Sequence, residues 1–271
     1  MDDNIMRSKP CSIIRNVDPA ASYEAAINER SDNVKRSSSG RSKRSVALHS
    51  HFWEPGRTLK IAMYDANQET INKVKSIASQ WTEHANLKFE FVSGAVGDIR
   101  IKIAPSDTGV SISQLGTDAL IHPPEEPTMT IGLALEHAEF EGTILHEFGH
   151  VLGLHHEHQH PDADIPWDLE KVYAAYKDLY NFERDRVDSD VLPLPRYSNV
   201  TYGDYDPLSI MHYNIDSRLT LNNWSHPGNL KLSEKDKAVA RKIYPQNTTF
   251  LPDILFNLIN TIKSPFTGSS N

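Results

Sequence analysis

The chain has 271 residues, 38% of them hydrophobic, and its 36 Asp and Glu against 28 Lys and Arg give a formal charge of −8. This composition excludes wholesale disorder and fits one two-lobed domain, or at most two domains of roughly 100–200 residues each. No window approaches the roughly 18 uninterrupted apolar residues of a membrane helix. The start, MDDNIMRSKPCSIIRNVDPA, lacks the apolar core of a secretory signal, and Cys11 as the single cysteine excludes an internal disulfide. The compartment is left open.

Charge is unevenly spread. Residues 1–44 carry nine Lys and Arg against six Asp and Glu, whereas the remainder carries 19 against 30. An acidic body argues against a nucleic acid partner. Ser31 to Ser45 (SDNVKRSSSGRSKRS) is polar, Ser-rich and basic without apolar periodicity, and reads as an exposed linker between a short leader and the body. Within it, Arg41-Ser42-Lys43-Arg44 has the form of a dibasic processing site that would make Ser45 a new N-terminus; an uncut solvated linker is the other reading.

After the linker, Leu59, Ile61 and Met63 alternate in TLKIAMY, the period of a half-buried strand. From Asn67 onward Ile71, Val74, Ile77, Ala78 and Trp81 recur at three- and four-residue spacing, which predicts an amphipathic helix of about four turns. LKFEFV and DIRIKI return to alternation, separated by a glycine turn from Gly94 to Gly97. The segment from Ala104 to Pro127 is rich in Gly, Pro, Ser and Asp and gives little pattern, and TMTIGL from Thr128 reads as one more strand. These elements predict an α+β fold with a mixed, twisted sheet.

Six of the thirteen histidines lie between residues 146 and 160, and clustered imidazoles point to metal. His146, Glu147, His150, Gly153 and His156 spell H-E-x-x-H-x-x-G-x-x-H. On a helix, residues four apart share a face, so His146 and His150 can reach one ion, while Glu147 sits beside it and can accept a proton from a water. Gly153 can take the left-handed conformation that ends a helix and turns the chain back, bringing in His156. Three protein ligands and an open fourth position describe a catalytic zinc. Other readings are a solvated helix face or a zinc-holding binding module without catalysis; Glu147 beside three intact ligands speaks against the second. His155, His158 and His160 are expected at the surface or behind the ligands.

Near the C-terminus, Ser233 with Asp236 resembles a capping box that opens a helix through Tyr244, stopped by Pro245. Residues 247–271 form a tail in which Leu251, Leu255, Leu258, Ile259 and Ile262 follow one side of a short amphipathic helix; it is expected to dock on the body, with a membrane surface as the alternative that its lack of a basic face disfavours. Asn199-Val200-Thr201, Asn223-Trp224-Ser225 and Asn247-Thr248-Thr249 are glycosylation sequons, at a number close to chance.

The zinc motif is the metzincin signature, and Ser209-Ile210-Met211-His212-Tyr213 resembles the Met-turn of that clan. Glu157 directly after the third histidine, the S-I-M-H-Y turn, and Trp53 followed by Gly56 are together similar to the astacin family of zinc endopeptidases over about residues 50–245; another metzincin subfamily is the alternative. The resemblance implies a two-lobed catalytic domain with an active-site helix, one catalytic zinc on His146, His150 and His156, and a polypeptide substrate. It also implies Glu147 as general base, Met211 beneath the metal and the Tyr213 hydroxyl against the developing oxyanion. It divides the chain into a leader and linker, 1–44, that could be a propeptide, a catalytic domain, 45–246, and the tail, 247–271. An extended substrate would add to a sheet edge, with TMTIGL as the candidate edge. His160 stands where the family usually carries Arg, and Cys11 rules out the family's two disulfides. In the family the residue at Glu157 meets the N-terminus freed on activation. Cys11 is read as an incidental thiol, with a blocking thiolate on the metal as the alternative.

Overall fold

The computed structural model describes residues 11–14, 17–33, 50–92, 94–106, 109–194, 203–212 and 214–246. The tail beyond residue 246, the dibasic segment and Tyr213 lie outside them.

The strand periodicity at TLKIAMY produces β2 (Thr58–Met63), the helix period produces α2 (Gln68–Thr82), and the two alternating segments produce β3 (Lys88–Val92) and β4 (Ile99–Ile103), all preceded in the chain by β1 (Cys11–Ile13) and α1 (Pro19–Glu29). The six-stranded sheet is completed by β5 (Ser111–Ser113) and β6 (Met129–Ile131), in the order β1-β5-β6-β4-β2-β3. β2 pairs in parallel with both β3 and β4, so these two strands flank it instead of forming a hairpin. Leu59, Ile61 and Ala62 are fully buried on this central strand, which explains why apolar side chains appear on both of its faces. β5 alone among β2–β6 runs antiparallel to its neighbour β6, and β1 adds in parallel to its outer side.

α2 begins at Asn67, whose side chain accepts the Thr70 N–H, and buries Val74, Ile77, Ala78 and Trp81. Its Trp81 donates Nε1–H to the Leu145 carbonyl at 2.9 Å, tying it to the histidine-bearing helix α3 (Phe140–Val151). The C-terminal end of α3 is buried, where its last carbonyls need partners. Trp53 Nε1–H donates to Val151 O at 2.7 Å and the Tyr244 hydroxyl to Leu152 O at 2.7 Å, so two distant aromatic residues fix the point where the helix stops.

The second lobe holds α4 (Leu169–Tyr180), α5 (Arg184–Asp190) and a small ladder of β7 (Asn214–Ile215) with β8 (His226–Pro227). Val172, Tyr176, Val187, Val191 and Leu219 make its own apolar cluster. The chain then returns to the main core through α6 (Glu234–Ile243), opened by the expected capping box of Ser233 and Asp236.

The leader is more structured than its polar sequence indicates. Asp18 caps α1 by accepting the N–H groups of Ala20 and Ala21, and Pro19 occupies the first turn, where its missing donor costs nothing. Ser22 donates to Asp118 at 2.6 Å, Glu29 pairs with Arg57 at 2.6 Å, and Arg30 donates to the Ile243 carbonyl at 2.9 Å. Ser31–Asn33, expected as exposed linker, is a single 3-10 turn in which Asn33 is buried against the body.

Candidate active site

α3 presents His146 and His150 on one face, and Gly153, at φ +84°, turns the chain back directly after the helix. A Cβ at Gly153 would sit 2.8 Å from the Phe52 ring, so the turn requires glycine for space as well as conformation. The reversal delivers His156. Nε2 of His150 and Nε2 of His156 are 2.9 Å apart.

Second partners orient the rings. His146 Nδ1 lies 2.7 Å from the Ile210 carbonyl, and His150 Nδ1 lies 2.7 Å from the Leu154 carbonyl. A carbonyl only accepts, so each Nδ1 carries the proton and each Nε2 keeps its lone pair toward the centre. Burial lowers His146 to about 4, against a smaller opposing effect of the Ile210 carbonyl. Burial likewise holds His156 well below the usual imidazole range, with His150 and His146 adding to it. Neutral imidazoles with inward lone pairs are what a divalent cation requires.

Cys11 joins them. Its sulfur and one nitrogen each from His146, His150 and His156 all lie within 4.8 Å of one another, in a buried cluster. The set is three imidazoles and one thiol, a donor combination that suits tetrahedral zinc. The geometry favours the alternative reading of Cys11, a thiol at the metal, over an incidental one; no spacing rule links a residue 135 positions from His146 to the motif, and the contact depends on β1 lying on β5.

Glu147 is fully buried beside the ligands, and burial raises its carboxyl to about 8, with the Cys11 thiol pulling it partly back. Cys11 in turn is pushed up, first by burial and then by Glu147. Both line a cleft of about 100 Å³ with His146, Ile210, Asn229 and Leu230.

The turn containing Met211 closes the site from below. Met211 is buried, and Gly149 on α3 lets it approach: a Cβ there would fall 2.2 Å from the Met211 sulfur. Asp236 at the start of α6 fastens this turn by accepting from Ser209 Oγ at 2.6 Å and Ile210 N at 2.8 Å. Glu157 accepts the Asp206 N–H at 2.7 Å, so in this form the residue meets a backbone amide of the turn. His158, expected at the surface or behind the ligands, is fully buried behind them, its ring tilted against that of His156 with 5.3 Å between ring centres. His155 is exposed, and His160 lies 3.0 Å from the Gly203 carbonyl. Tyr213 falls outside the described residues.

TMTIGL, the candidate edge for an added substrate strand, is not an edge of the sheet. β6, from TMTIGL, is interior between β5 and β4, and the edge next to the metal cluster is β5, already covered by β1. With three residues and one apolar side chain, β5 is too short to show alternation.

Among known proteins, the family model described as Astacin, a peptidase family, matches residues 46–226. The structure of myroilysin is 38% identical, with a TM-score of 0.66, covering 73% of this chain and 97% of that one; a second myroilysin crystal structure gives 35% and 0.57, covering 80% and 96%. Among curated proteins, zinc metalloproteinase nas-19 of Caenorhabditis elegans is 25% identical over 56% of this chain and 34% of its own length. Zinc metalloproteinase nas-39 of the same organism is 38% identical over 28% and 7%. The chain thus spans about a third or less of these two curated relatives. With a matched segment of two thirds of the sequence and a mixed α+β architecture shared with a solved member, the chain belongs to the astacin family of zinc metallopeptidases.

Proposed function

We propose that the protein hydrolyses internal peptide bonds of polypeptides at the cluster on α3, and that residues 1–44 hold it latent. The observation that carries the reading is the convergence of His146, His150 and His156 beside a buried Glu147. The three histidines would hold the zinc through Nε2. When bound, zinc supplies an acidified water and polarises the scissile carbonyl. Glu147 accepts the proton of the attacking water and returns it to the leaving amine; its carboxyl is buried beside the three histidines, where it can take that proton. Tyr213, by family resemblance, donates its hydroxyl to the carbonyl oxygen as negative charge develops there.

Latency rests on β1. The leader pairs with β5 and brings the Cys11 sulfur within 4.8 Å of one nitrogen from each of the three histidines, so that it would serve as a fourth donor to a bound zinc in place of water. The segment that joins Asn33 to Ser50 contains the dibasic Lys43-Arg44, so a cut there would separate the leader from the body.

The test is casein cleavage by the full chain, by Cys11→Ser, by a form starting at Ser45 and by Glu147→Ala, each with and without chelator. Zinc-dependent cleavage that rises in the second and third forms and vanishes in the fourth is expected. One zinc per chain with no cleavage of several denatured substrates by any form overturns the peptidase reading in favour of a binding module. Equal activity of the first three forms overturns latency alone.

A further inference from the structure

The hydrogen bonds behind His146 continue past the Ile210 carbonyl. That carbonyl and the Met211 N–H are the two ends of one peptide group, and the Met211 N–H donates to Ser209 Oγ at 3.0 Å. Ser209 in turn donates its hydroxyl to Asp236 Oδ1 at 2.6 Å. An unbroken line of donors and acceptors, all running in one direction, therefore leads from His146 Nδ1 through the Ile210–Met211 peptide and the Ser209 hydroxyl to a carboxylate on α6. Water has little access to it, since Ser209, Ile210, Met211 and Asp236 are each at most 5% exposed.

A helix cap does not account for Asp236. The capping box needs one of its oxygens, Oδ2, for the Ser233 N–H at 2.9 Å, and that oxygen also accepts the Ile210 N–H at 2.8 Å. Oδ1 turns to Ser209, at the separation of a hydroxyl bonded to a charged carboxylate. Burial pushes the Asp236 carboxyl up, and the donors from Ser209, Ile210 and Ser233 work against that push. A buried chain of this kind passes polarisation along, each bond strengthening the next. Negative charge at Asp236 thus makes the Ile210 oxygen a stronger acceptor of the His146 proton. Where a carboxylate bonds a metal-binding imidazole directly, it fixes the tautomer and raises the basicity of the nitrogen that faces the metal.

We propose that Asp236 is a positioning residue of the metal site, a carboxylate that acts on His146 at one remove, through Ser209 and the Ile210–Met211 peptide, and makes Nε2 of His146 a stronger donor to zinc. The inference rests on the zinc site of the peptidase reading. His150, whose Nδ1 meets the Leu154 carbonyl, supplies a comparison inside the same cluster.

The experiment compares the full chain with three variants. Asp236→Asn removes the charge and keeps an oxygen that can accept from Ile210 and Ser233. Ser209→Ala breaks the line and leaves those two bonds in place. Ser233→Ala weakens the start of α6 away from the line. Zinc affinity is read by competition with a chromogenic chelator, and the Nδ1–H protons of His146 and His150 by NMR of the zinc forms. Asp236→Asn and Ser209→Ala are each expected to weaken zinc binding about tenfold, and the double variant no further than either alone. In both, the His146 Nδ1–H resonance is expected upfield of its parent position with that of His150 unmoved. Ser233→Ala is expected to lower Tm with zinc affinity unchanged. Unchanged zinc affinity in Ser209→Ala overturns the proposal. An equal loss in Ser233→Ala, or equal movement of both resonances, also overturns it and reduces Asp236 to a support of the turn. If Asp236→Asn does not fold, Ser209→Ala decides alone. No cleavage of casein by any form, with the zinc and resonance pattern as expected, overturns the peptidase reading and leaves the role of Asp236 standing; a parent chain that binds no zinc overturns both.

Discussion

Asn33 and Phe52 are joined as if they were neighbours in a sheet: the Asn33 amide donates to the Phe52 carbonyl at 2.8 Å, and its oxygen accepts the Phe52 N–H at 3.1 Å. The same amide donates to Ala26 O at 2.8 Å, so one buried side chain locks α1 to the first residues of the body. Asn33→Ala removes these bonds and strands buried backbone groups, at a cost of about 2 kcal/mol. By the usual conversion this opens the leader about 30-fold more often. Hydrogen exchange should show it as faster exchange of α1 amides with those of α2 unchanged.

Metal removal should be visible without any assay of cleavage. A ligand at 100 times its dissociation constant stabilises by about 2.7 kcal/mol, which for a chain of this size lifts Tm by roughly 5–10 °C. Chelation should lower Tm by that amount and zinc should restore it. Cys11 is 8% exposed and joined to the cluster, so its reaction with a thiol reagent should be slow in the zinc form and faster after chelation.

Glu147→Gln keeps the shape of a buried side chain and removes its ability to take a proton. Turnover should fall by about 10²–10⁴ with zinc content and Tm retained. Equal zinc stoichiometry by metal analysis and a matching melting curve separate this from unfolding.

Tyr213→Phe should lower kcat by about 10²–10³ and leave KM nearly unchanged, since an oxyanion donor acts mainly in the transition state. An equal rise in KM would assign the hydroxyl to substrate binding.

Gly149→Ala forces a methyl group into the sulfur of Met211 and also brings it within 3.4 Å of Trp81. Overpacking of this kind costs about 1–3 kcal/mol. Met211→Ala alone should destabilise by opening a cavity, and the double variant should be less destabilised than the sum of the two, a coupling readable in urea denaturation.

What the sequence made legible follows from how each element earns its stability. α2 was readable because Val74, Ile77, Ala78 and Trp81 form an apolar stripe, and α3 because zinc chemistry fixes residue types at fixed spacing. α1 was not: only Ser22 and Ala26 are buried on it, and it is held by polar contacts with Asp118, Arg57 and Ile243 that leave no periodic trace. β5 went unseen for its brevity, and with it the strand on which β1 pairs. Cys11 could not be assigned because its partners are brought to it by β1, a three-residue strand whose pairing depends on that edge.

The parallel pairing of β1 with β5 has a colloidal consequence as well. At one border of the sheet the unsatisfied N–H and C=O groups of β5 are covered by Ser12 and its neighbours, and any event that carries residues 11–13 away bares that row to other molecules. Uncovered strands are templates for pairing between chains. A chain produced without residues 11–13 is therefore expected to need lower concentration, or a bound peptide, to remain dispersed.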